Sequence, residues 1–398
     1  MTTPPLACDG PASVVFDPSL TAYDFGPQHP MAPVRVDLTM RLAEDLGVLK
    51  GMRTIPAPKA DEDLIATVHE PALIEAVTRM GHNPGPGEEG RGLGTDDNPV
   101  FLGMHEAAAH VVGASVEAFR QVWTGESRHS VNIAGGLHHA MRDRASGFCI
   151  YNDVAIGIQW LLDHGAERVA YVDVDVHHGD GVERIFWDDP RVLTISLHES
   201  GQFLFPGTGF AEDLGGPDAE GTAVNVALPP GTSDPGWLRA FHAVVPPLVR
   251  EFAPDILVTQ HGCDSHADDP LADLMLSVDG QRAAYQALHG LAHEVCEGKW
   301  VATGGGGYAL VQVVPRAWTH LLATVSGRPL DPETATPGGW AAHVREHLGV
   351  AAPTRLTDGR DPAYREWEEG YDPGSWLDRQ VHSTRTAVFP LHGLDPLP

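Results

Sequence analysis

Residues 169–181 read VAYVDVDVHHGDG. Valines alternate with aspartates, and the run closes on two histidines, a glycine and a further aspartate. Alternation of β-branched residues over 168–176 predicts a β-strand. Period two puts Val172, Val174 and Val176 on one face and Asp173, Asp175 and His177 on the other. A strand this apolar belongs inside a sheet, where an uncompensated buried carboxylate costs on the order of several kcal/mol. An amphipathic strand with one wet face is one answer to that cost; a bound cation is the other.

The surrounding chain weighs between them. Short apolar runs recur at 13–16 (SVVF), 130–134 (SVNIA), 192–198 (VLTISLH), 223–228 (AVNVAL), 255–260 (DILVTQ) and 300–304 (WVATG). Helical spacing fills 154–165, 237–252 and 280–298, although Pro246 and Pro247 are expected to kink or break the second of these. Strands alternating with helices predict an α/β fold on a mainly parallel sheet, covered on both faces. Ligands of such sheets bind beyond the carboxyl ends of the strands. Four strand ends here carry polar or glycine-rich clusters: GGLHHA (135–140), HHGDG (177–181), HGCDSH (261–266) and GGGGY (304–308). Their coincidence points to one site.

Asp175 and His177, with Asp264 from a neighbouring strand end, are donor types that suit zinc or another divalent ion. Metal-assisted hydrolysis also needs a base and an acid. His138 and His139 suit those tasks if carboxylates such as Asp173 and Asp180 orient their rings. His261 and Cys263 are read as packing residues, or as residues supporting the ligands from behind, rather than as ligands themselves. TGGGGYA (303–309) fits the loose glycine pattern of a dinucleotide loop. No second βα unit with an acidic residue follows, however, and Pro315 is read as interrupting the next segment. Glycines that let the backbone crowd a substrate, with Tyr308 as a donor to an oxyanion, fit better.

Bulk properties narrow the class. The 398 residues are 42% hydrophobic, and 26 Lys+Arg against 54 Asp+Glu give a formal charge of −28. Such a surface repels a phosphate backbone and attracts basic peptides, so nucleic acid is not an expected partner. MTTPPLACDGPASVVF has neither the basic nor the apolar region of a leader, and no apolar run reaches the ~18 residues of a membrane span. Cys8, Cys149, Cys263 and Cys296 form no C-x-x-C pair. A cytoplasmic protein without membrane contact is expected.

Taken in order, GGLHHA, SGFCIYNDVAIGI, VDVDVHHGDGVE, LTISLHES, FPGTG, GCDSH and GGGGY resemble the zinc-dependent histone deacetylase family over about residues 13–325. YDFGPQHPMAPVR (23–35) and GTDDNPVF (94–101) resemble its bacterial acetoin-utilization branch. The resemblance implies a single catalytic α/β domain over 1–325, with a central eight-stranded, mainly parallel sheet flanked by helices, the arginase/deacetylase fold. A peripheral helix and extended tail would occupy 326–398. It implies Zn2+ on Asp175, His177 and Asp264, with Fe2+ as the other metal to consider in the cell. His138 would pair with Asp173 and His139 with Asp180, His139 being the main general base and acid. Tyr308 would polarise the acetyl carbonyl.

The same resemblance places Gly147, Phe148, Phe205, Leu271 and Gly306 along a narrow acyl-lysine tunnel and Asp97 at its rim. The Phe203-Leu204-Phe205 run before Pro206 departs from the family's usual pattern. Structural K+ would take Asp173, Asp175, the His177 carbonyl, Ser196 and Leu197. A second, weaker K+ match falls on Phe186, Asp189, Val192 and Thr222. Arg35 matches an arginine lining a cavity below the metal. The implied reaction is NAD-independent hydrolysis of acetyl, or other acyl, groups from lysines of a protein or peptide, releasing acetate. Acetyl-CoA synthetase is a candidate substrate. The alternatives are an acetylpolyamine deacetylase, another amidohydrolase such as a ureohydrolase on the same fold, and a non-catalytic acetyl-lysine binder.

Overall fold

The computed structural model describes residues 10–398; Cys8 and most of the N-terminal stretch read above for a leader lie outside the described residues. Eight strands form one sheet: β1 (Ala12–Val15), β2 (Met52–Ile55), β3 (His129–Asn132), β4 (Val169–Asp173), β5 (Val192–Glu199), β6 (Ala223–Leu228), β7 (Ile256–Gln260) and β8 (Trp300–Thr303). Their spatial order is β2-β1-β3-β8-β7-β4-β5-β6, and every neighbouring pair is parallel. The expected α/β class is thus found, with a sheet that is wholly rather than mainly parallel. Strands covered on both faces read as near-continuous apolar runs, and β3 through β8 are buried at every residue.

The order has a direct consequence for chemistry. β3, β8, β7 and β4 are consecutive in the sheet, and these are the four strands whose carboxyl ends carry the clusters. β4 itself ends at Asp173, three residues before the predicted limit. Asp175 and His177 therefore leave the sheet plane in the following turn instead of alternating along a strand. The Asp173 carboxylate accepts the Asp175 amide at 3.1 Å, and this local side-chain bond competes with further sheet pairing.

The break at Pro246 and Pro247 and the interruption at Pro315 are not found. The helix Asp234–Phe252 runs unbroken through Pro246 and Pro247. Val244, Val245, Leu248 and Val249 around them are fully buried, so packing holds the helix despite the missing donors. Pro315 does not interrupt the segment after β8. It occupies the first turn of the helix Val314–Val325, where a proline nitrogen forfeits no intrahelical bond.

The C-terminal residues include two helices, Gly338–Leu348 and Trp376–Val388. Trp340 and Val344 of the first pack on Leu38 and Leu42 with Leu356. The second lies against β6, where the Thr384 hydroxyl donates to the Asn225 carbonyl at 2.6 Å. Buried Arg239 grips Asp378 with two bonds of 2.9 and 2.8 Å and also donates to the Arg365 and Gly370 carbonyls. Asp358 accepts from His266 at 2.9 Å, Arg316 at 2.7 Å and the Val278 amide at 2.8 Å. No described helix is long and apolar enough to cross a membrane.

Burial opposes the Asp358 charge, but those three donors hold its carboxyl well below the usual range. Its lowered folded-state pKa makes it stabilising above the unfolded value of about 4 and progressively less so as pH falls below it. Asp358→Ala, which strands Arg316 and His266, should destabilise the fold by about 2–3 kcal/mol at pH 7 in denaturant unfolding. The difference from wild type should shrink on acidification below about pH 4.

Candidate active site

The loop after β3 is fastened from behind. Asp153, at the start of the helix Asp153–Asp163, accepts the Gly136 and Leu137 amides at 3.0 and 2.7 Å. Asn152 donates to the His138 and Ala140 carbonyls at 3.1 Å each. These bonds set His138 and His139 at the mouth of the sheet. His138 Nδ1 lies 2.7 Å from Asp173, and His139 Nδ1 lies 2.6 Å from Asp180. The two Nε2 atoms face each other at 3.1 Å. The structure thus makes both pairings that the sequence called for.

The turn after β4 and the end of β7 supply a second group. His177 Nδ1 sits 3.1 Å from Asp175 and 3.2 Å from Asp264, and one donor atom from each residue lies within 4.8 Å of the others. All three side chains are buried. Their outer oxygens are held in place: Asp175 accepts from Gln260 at 2.7 Å and the Gly306 amide at 2.8 Å, and Asp264 from the Val176 amide at 3.0 Å. Gly306 is where the chain comes closest, since a Cβ there would stand 1.8 Å from an Asp264 oxygen.

Electrostatics separates the roles. Burial would lower His138, but the Asp173 and Asp175 carboxylates raise it to about 9. Burial and the neighbouring His138 lower His139 to about 4 against the pull of Asp180. These opposite directions favour the proton on His138 and a neutral imidazole at His139. Asp264 is raised to about 7 by burial and by Asp175, while burial opposes the Asp175 charge but His138 and His177 hold it well below its usual range. Two buried carboxylates sharing one imidazole form a donor set that a divalent cation would neutralise, with the mixed oxygen and nitrogen character that zinc accepts. The residues fit a metal.

Above the metal-binding group a cavity of about 210 Å3 leads outward, lined by Asp97, His139, Gly147, Phe148, His177, Leu204, Phe205, Leu271 and Tyr308. Phe205 stands edge-on to His139 at 5.0 Å and Phe148 edge-on to Tyr308 at 5.7 Å. Leu204 joins the wall, a contribution the sequence did not anticipate. Gly147 has φ +50°, and a Cβ there would come within 2.5 Å of the His139 ring. Only glycine allows that approach. Inward, a chamber of about 10 Å3 touches Met31, His138, Cys149, Asp175, Gly306 and Tyr308. Burial keeps the Tyr308 phenol far above its usual range, so it remains a proton donor. A larger cleft of about 560 Å3 lies by Arg142, Arg184 and Trp187, away from all these groups; size does not locate the chemistry here.

The other sequence candidates fall into place around this centre. Asp97 is exposed at the outer end of the cavity, its carbonyl 3.2 Å from His29. Asp173 pairs in register with Ser196 of β5, next to Leu197. The carbonyls of Phe186, Asp189 and Thr222 accept the amides of Asp189, Val192 and Thr194, and the Asp189 carboxylate binds Arg191. Arg35 is buried, donates to the Gly307 carbonyl at 3.0 Å and lies over the Trp318 ring. His261 is bonded to Thr259 and packed edge-on against Tyr285, with burial lowering it to about 3. Cys263 is a fully buried thiol.

Sequence reasoning missed several supporting groups. The Tyr171 hydroxyl donates to Asp173 at 2.6 Å, sharing the oxygen that meets His138. Asp269 accepts the Tyr308 amide at 2.8 Å. The Tyr23 hydroxyl donates to the Phe148 carbonyl and accepts the Ile150 amide. Tyr171 was visible in the opening stretch, on the same strand face as Asp173; the long-range bonds of Tyr23 and Asp269 left no local signal.

Comparison with known proteins agrees with this arrangement. Residues 29–325 match the family model described as the histone deacetylase domain. The acetoin utilization protein AcuC of Bacillus subtilis (strain 168) is 40% identical over 349 residues, covering 87% of this chain and 90% of that protein. Those of Staphylococcus xylosus and Staphylococcus aureus (strain MSSA476) are 35% and 36% identical, over 87% and 86% of this chain and 90% and 89% of theirs. With the family model spanning most of the chain and its motifs gathered at one sheet end, the chain belongs to the histone deacetylase family.

Proposed function

We propose that the protein is a metal-dependent, NAD-independent hydrolase that removes acetyl groups from lysine side chains of proteins or peptides, releasing acetate. The observation that carries this reading is a cavity lined by His139, His177 and Tyr308, where His177 meets Asp175 and Asp264 and both histidines of the dyad are paired with carboxylates. Zinc held by those three residues would polarise the acetyl carbonyl and acidify the attacking water.

The chain's own residues do the rest. Phe148, Phe205 and Leu271 close around the aliphatic stem and exclude water. Neutral His139, with Nδ1 tied to Asp180, takes the proton of the attacking water on Nε2. Tyr308 donates to the oxygen that gains charge. Protonated His139 then gives its proton to the departing lysine amine, and the C–N bond breaks. His138, held by Asp173 and Tyr171, supplies positive charge beside the reacting carbon. Asp97 at the rim accepts the amides of the substrate backbone, and the net charge of −28 draws basic segments toward the cavity. Structural potassium on Asp173, Asp175, His177, Ser196 and Leu197, with a weaker site at Phe186, Asp189, Val192 and Thr222, would brace the sheet ends. Acetyl-CoA synthetase is the substrate we would test first.

Purified enzyme should release acetate from acetyl-lysine peptides, lose activity with chelator and regain it on adding zinc or ferrous iron. Failure on peptides with turnover of acetylpolyamines would move the reading to a small-molecule deacetylase; no chelator-sensitive turnover of either would end it. Tyr308→Phe should lower kcat about 10²–10³-fold with bound metal unchanged by elemental analysis. Asp97→Ala should raise KM for peptides about tenfold, roughly one charge-assisted hydrogen bond, and leave small acetylamines unaffected. Gly306→Ala should weaken metal binding at least about tenfold in chelator competition, because its methyl group displaces Asp264; unaltered affinity would refute the role given to that close approach.

A further inference from the structure

We infer that His129, His289 and His293 form a second binding site, for a divalent transition-metal ion, at the end of the sheet opposite the acyl-lysine cavity. His129 is the first residue of β3, whereas the histidine dyad follows the last. His289 and His293 stand one turn apart on the helix Val278–Val295, so both face the strand.

The geometry resembles that of the metal-binding group at the other end. One ring nitrogen from each histidine lies within 4.8 Å of the others, as do donor atoms of Asp175, His177 and Asp264. Zinc–nitrogen bonds of about 2.0–2.1 Å in a tetrahedron need nitrogens about 3.4 Å apart. His129 and His293 already meet at 3.1 Å between Nε2 atoms, and modest ring rotation brings in the third. The tautomer is also set. His129 Nδ1 is 3.0 Å from the Val325 carbonyl, which only accepts, so Nδ1 carries the hydrogen and Nε2 the lone pair. Metal-binding histidines are commonly oriented by such a bond from the other nitrogen.

Burial, the neighbouring imidazoles and, at His129 and His293, the Arg128 guanidinium favour the neutral, ligating form. His129 is pushed down to about 3 and His289 to about 4, and His293 is lowered as well. Plain aromatic packing accounts for part of the arrangement. The three rings pair edge to face at 4.7–5.1 Å, and His129 and His289 meet Trp300 at 5.7 and 5.5 Å. A hydrogen bond of 3.1 Å between their Nε2 atoms holds the His129 and His293 nitrogens together, and His293 is only half-buried, which leaves a way in from solvent. Three neutral nitrogens select zinc, nickel, cobalt or copper over magnesium and calcium. An ion there would tie the Val278–Val295 helix to β3 and, through His129, to the end of the Val314–Val325 helix. Its role would be structural.

The test is the metal stoichiometry of chelator-stripped protein titrated with Zn2+ and, separately, Co2+. Wild type should bind two equivalents, and Asp175→Ala/Asp264→Ala should keep one, with a Co2+ spectrum of nitrogen ligation. His289→Ala/His293→Ala should lose that equivalent and the metal-dependent rise in melting temperature, while retaining wild-type deacetylation. If the double variant misfolds by circular dichroism, His293→Gln, at the half-buried position, should weaken the same equivalent at least tenfold. A single wild-type equivalent that vanishes with Asp175→Ala/Asp264→Ala overturns the inference, as does a second one that survives both histidine variants. Neither outcome depends on whether the other site deacetylates lysine.

Discussion

Asp175 and Asp264 are both buried and both lie against one imidazole, His177. Like charges at that distance in a dry interior repel strongly, so the fold must hold them together by other means and leave them a cation to share. The sheet does the holding. β7 and β4 are neighbours, with Asp173 opposite Gln260, and the Gln260 amide then reaches Asp175. β8 lies on the other side of β7 and delivers the Gly306 amide to the same carboxylate. The histidine dyad arrives from β3, the next strand out. One strand exchanged in the sheet order would separate the groups.

The dyad depends on the same constraint. His138 is raised by carboxylates that belong partly to the metal-binding group, and its charge in turn keeps His139 neutral. A base is thereby prepared through its neighbours instead of through its own burial alone. The aromatic wall rests on Gly147, which lets the chain pass against the His139 ring.

Much of this was legible in the sequence because strand ends are local. Polar residues directly after β-branched runs announce both a strand and what it carries, and every clustered candidate at the four strand ends except the packing residues His261 and Cys263 lies at the site. The limits are physical too. The alternation of valine and aspartate ran on past Asp173, but an aspartate that caps its own turn stops the sheet pairing, and composition alone does not reveal that. Pro246 and Pro247 read as breakers because the burial that stabilises their helix comes from distant residues. β2 (MRTI) is exposed at two of its four residues and lacks the apolar run that marked the equally short β1, β3 and β8. Arg239 and Asp378, 139 residues apart in sequence, could be paired only by the fold.

The Thr384 bond to Asn225 has a consequence beyond packing. β6 ends the sheet, and an unpaired strand there offers its backbone to any passing chain. The helix Trp376–Val388 lies against it and occupies the Asn225 carbonyl, so this edge is partly covered from within the chain. At the opposite margin β2 is short and bears exposed Arg53, a charge that discourages pairing. Both margins of the sheet are thus shielded by residues far in sequence from the histidine and aspartate cluster.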